Sequence, residues 1–267
     1  MVCQTLERHG CSAVSRRALG CAMALLLAGA SPGVAQNPST IERIKLSILA
    51  VGTFERLRNP QFSFAGTGFA VGDGSLVATN EHVLSRTLDT EQSETIAIAV
   101  RAQDDTVQVR MARKVASDAS ADLALLKIDG PPLRPLQLGD SDGVREGESY
   151  LFTGFPIGPV LGLFPVTHRA MIAAVTPIVI PAARADQLDA RSLRRLKAGA
   201  YRVFQLDGTA YPGNSGSPVY HPDSGEVIGI VNSVFVKGTK EAALTQPSGI
   251  SYAIPAQKLK ELLERTR

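Results

Sequence analysis

Cysteine is nearly absent. The 267 residues contain three, and Cys3, Cys11 and Cys21 all fall within the first 21 positions. The rest of the chain therefore has no thiol, no disulfide and no cysteine-based metal site, and packing must supply its stability. Tryptophan is missing and aromatic residues make up only 5%, which argues against a surface that stacks nucleic-acid bases. Charge of one sign is lacking too. The formal net charge is +3, and Arg8, Arg16 and Arg17 against Glu7 in the N-terminal segment account for two of these, leaving +1. A chain so balanced is no polyanion binder. The four basic residues between Arg191 and Lys197 read as a solvated face. Beyond the N-terminus there is no long apolar run, no low-complexity tract and no repeat of solenoid length.

The N-terminus reads as an export signal rather than part of the fold. Arg16 and Arg17 precede a short apolar stretch over residues 18–30, and Gly33-Val34-Ala35 before Gln36 fits a signal-peptidase site. The stretch is shorter than the roughly 20 residues a membrane span needs. A signal peptide over residues 1–35 is expected, with the mature chain over 36–267 in the periplasm or outside the cell and no stable membrane insertion. Ser15-Arg16-Arg17 opens as twin-arginine signals do, but Leu19 and Gly20 continue it poorly, so ordinary secretion is favoured. An uncleaved anchor is the alternative.

Short β-like runs dominate the mature chain: residues 44–53, 68–71, 76–79, 96–100, 107–111 and 123–128, then 149–155, 170–175, 203–206, 227–236 and 250–254. Gly, Pro, Asp and Asn punctuate the gaps, as between antiparallel strands. Regular strand–helix alternation is absent, so an all-β barrel or sandwich is expected. Residues 130–143, rich in Gly, Pro and Asp, divide the strands into two groups of similar size. After Pro255, Leu259, Leu262 and Leu263 share one helical face, predicting a C-terminal helix that docks on the second group. Residues 182–199 form a polar insertion. Residues 41–48 supply either an N-terminal contact or a first strand.

Tyr211-Pro212-Gly213-Asn214-Ser215-Gly216-Ser217-Pro218 places a serine between glycines in a tight turn. Such a turn lets backbone approach a substrate and aims N–H groups at one point, the geometry an oxyanion needs. A serine hydroxyl is a weak nucleophile that needs a base, and histidine can take its proton and return it to a leaving group. Only His82, His168 and His221 lie outside the N-terminal segment. His82 closes the β-rich run Leu76-Val77-Ala78-Thr79-Asn80-Glu81-His82 and is the expected base. His168, at a strand start, either borders a pocket or lies on the surface; His221 belongs to a solvated hairpin. Asp122 leads directly into Leu123-Ala124-Leu125-Leu126 and is preferred to Asp118, which sits in a turn, as the carboxylate that orients the imidazole. Asp207 is read as structural. Ser217 is the weaker nucleophile because Pro218 follows it.

Gly66-Thr67-Gly68-Phe69, Thr79-Asn80-Glu81-His82-Val83, Asp122-Leu123-Ala124-Leu125-Leu126 and Pro212-Gly213-Asn214-Ser215-Gly216-Ser217-Pro218, in this order, resemble the trypsin-like proteases, with the bacterial HtrA/Do type as the nearest branch. Gly249-Ile250-Ser251-Tyr252-Ala253-Ile254-Pro255 resembles the strand that closes that protease domain, and Gly154-Phe155-Pro156-Ile157-Gly158 its turn at the start of the second barrel. The resemblance implies two six-stranded antiparallel β-barrels, the first over about residues 41–135 and the second over about 143–255, followed by a helix over 256–267. It implies His82 as general base, Asp122 as its orienter and Ser215 as nucleophile. The oxyanion hole falls at Gly213, Asn214 and Ser215, formed by the N–H groups of Gly213 and Ser215, and Val231, Asn232 and Ser233 fall on a substrate-pocket wall. No metal or cofactor is implied, the partners are protein or peptide substrates, and a homo-oligomer, a trimer by family expectation, is implied.

Three departures from the pattern stand out. The chain stops after the helix, so PDZ domains are not expected. Ser217 stands where HtrA proteins usually have glycine, as in glutamyl endopeptidases, but Val231 and Asn232 follow Gly229-Ile230 where those enzymes carry a histidine. Glutamate specificity is therefore not supported, and a small uncharged or apolar residue before the scissile bond is expected. The insertion at 182–199 lies where the family varies its activation and pocket loops. An exported serine endopeptidase is the resulting expectation. The alternative is a protease-fold binding or scaffold protein with a latent active site. An α/β-hydrolase is excluded by the order of the triad and by the Gly-Asn-Ser-Gly turn.

Overall fold

Strands that read as unbroken apolar runs are buried on both faces, and the strand Leu123–Ile128, β6, shows why. In the computed structural model its Leu123 and Leu125 enter one hydrophobic cluster while Ala124 and Leu126 enter another. The structure describes residues 38–85, 94–101, 106–158, 162–177, 201–232 and 249–266. The expected signal peptide, the insertion at 182–199 and Ser233 lie outside these residues.

Among the described residues twelve strands form two closed barrels of six. The first contains β1 (Ile48–Phe54), β2 (Phe62–Val71), β3 (Leu76–Thr79), β4 (Thr95–Arg101), β5 (Val107–Asp118) and β6 (Leu123–Ile128) in the ring order β1-β2-β3-β6-β5-β4. The second contains β7 (Ser149–Gly154), β8 (Val166–Pro177), β9 (Arg202–Asp207), β10 (Pro218–Tyr220), β11 (Val227–Val231) and β12 (Ile250–Pro255), and repeats that order as β7-β8-β9-β12-β11-β10. Neighbouring strands within each ring pair antiparallel, as in β1–β2, β3–β6 and β9–β12. Register shifts at Val51/Gly52, Lys114/Ala116 and Ile172/Ala174 bend long strands enough to close a small ring, which leaves no free edge.

Each barrel has its own core. Leu49, Val51, Val77, Ile98 and Leu126 fill the first, and Phe152, Ile172, Phe204, Leu206 and Val219 the second. A third cluster joins them, with Phe69, Leu123 and Leu125 meeting Phe155, Tyr220, Ile230 and Ile254. A continuous apolar seam therefore runs between the two barrels.

Three short helices depart from or refine the sequence reading. Residues 41–45 do not begin the first strand. The segment is helix α1 (Pro38–Lys45), whose Ile44 enters the seam. Thr40 Oγ1 donates to the Asp223 carbonyl at 2.9 Å and Arg43 Nη2 to that of Ser224 at 2.8 Å. Ile41 and Ile44 are spaced for one helical face, and the strand begins only at Ile48. A single turn, α2 (Glu81–Ser85), follows β3. Helix α3 (Ala256–Glu264) starts after Pro255 and buries Leu259 and Leu262. It docks across both barrels rather than on the second alone, because its leucines enter the seam and Arg265 Nη2 reaches Asp118 Oδ2 at 2.7 Å.

Candidate active site

His82, Asp122 and Ser215 arrive from different elements. β3 pairs with β6 up to Thr79↔Ala124, so α2 after β3 and Asp122 before β6 emerge at the same end of the first barrel. Ser215 lies in the turn before β10 of the second. His82 therefore does not end a strand; it sits in α2, which begins once Asn80 has left the sheet. Asp122 has φ +57°, a left-handed conformation costing roughly 1–3 kcal/mol for a non-glycine residue. Its carbonyl accepts bonds from Glu81 N–H and from Asn80 Nδ2, both at 3.1 Å, which hold it there.

The three side chains form one hydrogen-bonded line. His82 Nδ1 is 2.7 Å from Asp122 Oδ2, and His82 Nε2 is 3.0 Å from Ser215 Oγ. Asp122 Oδ1 also accepts the His82 backbone N–H at 2.9 Å, and Oδ2 accepts Asn232 Nδ2 at 2.8 Å. An ionised carboxylate only accepts, so the ring proton sits on Nδ1 and Nε2 is left to accept from the serine hydroxyl. Asp122 and Asn232 are 0% exposed, Ser215 4% and His82 5%, so little water competes for these bonds. Asp118 plays a different part. Burial opposes its ionisation, but Ser120, Arg265 and the Ala121 N–H outweigh this and bring its pKa down to about 2.

The serine turn is held by its own backbone and by both barrels. Asn214 N–H donates to the Tyr211 carbonyl at 3.0 Å, Gly216 N–H to Val231 at 3.0 Å, and Thr67 N–H to Ser215 at 2.9 Å. Gly213 has φ +104°, and a Cβ there would lie 2.3 Å from the Phe155 carbonyl oxygen, so only glycine fits. The Pro212 carbonyl accepts Ile157 N–H at 2.7 Å. The Pro212–Gly213 peptide is trans, so the Gly213 N–H points away from Ile157. The Asn214 N–H is used inside the turn. The Asn214 side chain is fully buried.

Two residues of the expected pocket wall, Val231 and Asn232, are among those described, and both are fully buried. Val231 is fully buried in the core of the second barrel, and the Asn232 amide lies on Asp122. The support that Asn232 gives Asp122 was not visible in the sequence, where its only mark is a polar residue ending an apolar strand. His168 stacks on Phe152 with ring centroids 4.9 Å apart, and burial lowers its pKa. His221 Nδ1 accepts the N–H groups of Asp223 and Ser224 in a hairpin. Asp207 is exposed at the end of β9. Among the described residues no three His, Cys, Asp or Glu side chains gather as metal ligands, and no helix is long and apolar enough to cross a membrane.

A family model described as a trypsin-like peptidase domain matches residues 66–230. The chain belongs to the trypsin-like peptidase family. Among similar proteins, a probable periplasmic serine endoprotease DegP-like of Marinomonas sp. (strain MWYL1) is 31% identical over 208 residues, 78% of this chain and 36% of the relative. Its namesake from Rickettsia prowazekii (strain Madrid E) is 28% identical over 214 residues, 80% of this chain and 35% of that protein. The chain thus spans about a third of the length of these relatives. Among solved structures, the HtrA-type protease AlgW with tripeptide superposes with a TM-score of 0.59 at 26% identity, covering 85% of this chain and 62% of that one. Deg5 gives 0.60 at 20% identity, covering 85% of this trypsin-like peptidase chain and 91% of its own, a likeness of fold.

Proposed function

We propose that this trypsin-like peptidase domain is an exported serine endopeptidase whose catalytic residues are Ser215, His82 and Asp122. The observation that carries the reading is the unbroken line Asp122 Oδ2–His82 Nδ1 and His82 Nε2–Ser215 Oγ, at 2.7 and 3.0 Å. The names of the DegP-like relatives support the same chemistry.

Ser215 Oγ attacks the carbonyl carbon of a peptide bond as its proton passes to His82 Nε2. Asp122 keeps the imidazole in the required tautomer and stabilises the imidazolium. The N–H groups of Gly213 and Ser215 receive the negative charge that develops on the carbonyl oxygen. His82 Nε2–H then protonates the departing amine, leaving an acyl group on Ser215. A water gives its proton to His82, attacks the acyl carbon and releases the second product, returning the proton to Ser215. The substrates are proteins or peptides. The leader-like residues 1–35 and the relatives described as periplasmic support a place in the periplasm or beyond.

The test is digestion of an unfolded protein, with the new termini located by mass spectrometry. The wild-type chain should cut internal peptide bonds, and Ser215→Ala should leave the substrate whole. Equal cleavage by both would remove Ser215 from the reaction.

A further inference from the structure

We propose that Thr67 is a positioning residue for the oxyanion turn, fixing the Gly213 peptide of the second barrel from the first so that the turn is set before substrate arrives. The inference rests on the reading of Ser215 as nucleophile.

Thr67 lies on β2 between Gly66 and Gly68 and is fully buried. Its hydroxyl donates to the Gly213 carbonyl at 2.7 Å and accepts the Phe155 N–H at 3.1 Å. Its backbone N–H donates to the Ser215 carbonyl at 2.9 Å, and its carbonyl accepts Thr79 Oγ1 at 2.7 Å. One residue of the first barrel thus holds two carbonyls of the serine turn, the first N–H of the 155–158 turn, and the strand that delivers His82.

The consequence follows from the two peptide planes that meet at Gly213. The plane before it is fixed where the Pro212 carbonyl accepts Ile157 N–H. The plane after it is fixed where the Gly213 carbonyl accepts the Thr67 hydroxyl. With both planes held, φ and ψ of Gly213 are determined, and so is the direction of its N–H. Glycine resists rotation of these planes less than any other residue, so the orientation depends on its two partners.

The same observations give a purpose to Gly154-Phe155-Pro156-Ile157-Gly158. Ile157 is held at φ +60°, a strained position for a branched residue, while it presents its N–H to Pro212. The Thr67 hydroxyl ties down Phe155 two residues earlier. Gly154 permits the approach, since a Cβ there would lie 2.9 Å from Thr67 Oγ1 and 1.9 Å from Ser217 Oγ. The hydroxyl of Thr67 is therefore shared between the oxyanion turn and the loop that braces it.

The test compares Thr67→Val, which keeps the shape and removes the hydroxyl, with Thr67→Ser, which keeps the hydroxyl. Steady-state hydrolysis of a peptide substrate should show kcat for T67V reduced at least about tenfold, toward the 10²–10³ cost of losing an oxyanion donor outright. KM should stay within about twofold, and the pH midpoint of kcat/KM should not move, because the His82–Asp122 pair is untouched. T67S should recover most of the loss. Where T67V does not fold, Thr67→Cys, whose thiol fills the site but donates weakly, carries the same expectation. Wild-type kcat in T67V or T67C, a loss confined to KM, or an equal loss in T67S would overturn the inference. Reaction of the wild-type chain with a fluorophosphonate is the control. An inert wild type would overturn the peptidase reading and this inference with it, whereas a reactive wild type beside an unchanged T67V would overturn this inference alone.

Discussion

Asp122 shows how much of the site is decided one residue at a time. Its carboxylate accepts two N–H groups of His82 and the amide of Asn232 while its backbone sits in the left-handed region. Asp122→Asn keeps the shape but turns one acceptor into a donor facing His82 Nδ1, favouring the wrong tautomer. A fall in kcat of about 10⁴ is expected, the size such a change has in a Ser-His-Asp triad, with circular dichroism unchanged. A loss under tenfold in peptide hydrolysis would contradict the role. That these three candidate residues belong together was legible in the sequence because histidine is scarce, Ser215 lies between glycines, and Asp122 leads straight into an apolar strand. Asn232 and Thr67 were not, because each acts through a partner more than a hundred positions away. Nothing local in the sequence marks such a meeting.

The elements were legible where periodicity was strong and misread where it was brief. Strands β3, β6 and β11 stand out as apolar runs, whereas α1 was hidden because Ile44 and Ile48 fit a strand as readily as the start of a helix. Helix α3 was readable from Leu259, Leu262 and Leu263, but its position over both barrels was not, since the same leucine face suits either. Leu259 is fully buried in the seam, so Leu259→Ala should destabilise the domain by about 2–5 kcal/mol, measured by urea unfolding; a change below about 1 kcal/mol would show that the helix is not anchored there. The helix end also predicts acid behaviour. The Asp118 carboxyl, at about 2 when folded against an ordinary 3.8, binds its proton less readily in the native state than in the unfolded chain. Its contribution is therefore complete above about pH 4 and lost as pH falls toward 2. Arg265→Ala removes one cause of the shift and should lower the melting temperature at pH 5 more than at pH 2, as a thermal scan against pH would show. An equal loss at both values would contradict the coupling.

At the scale of the molecule, two barrels of the same ring order meet along one apolar seam, and the candidate site falls where they meet. The first barrel supplies His82, Asp122 and Thr67; the second supplies Ser215, Gly213 and Asn232. The sequence shows two groups of strands and a divider between them, which sufficed for the two-barrel expectation through its resemblance. The repeated ring order left no repeat in the residues, because a closed antiparallel ring constrains alternation and turn positions far more than side-chain identity.

The most direct test of the account is the site and stoichiometry of covalent labelling by a fluorophosphonate on the folded chain, read by intact mass and peptide mapping. The account predicts one phosphonyl group per chain, on Ser215, absent in Ser215→Ala and slowed at least about 10³-fold in His82→Ala. A folded wild-type chain that takes up no label, or takes it up on another serine, would contradict it.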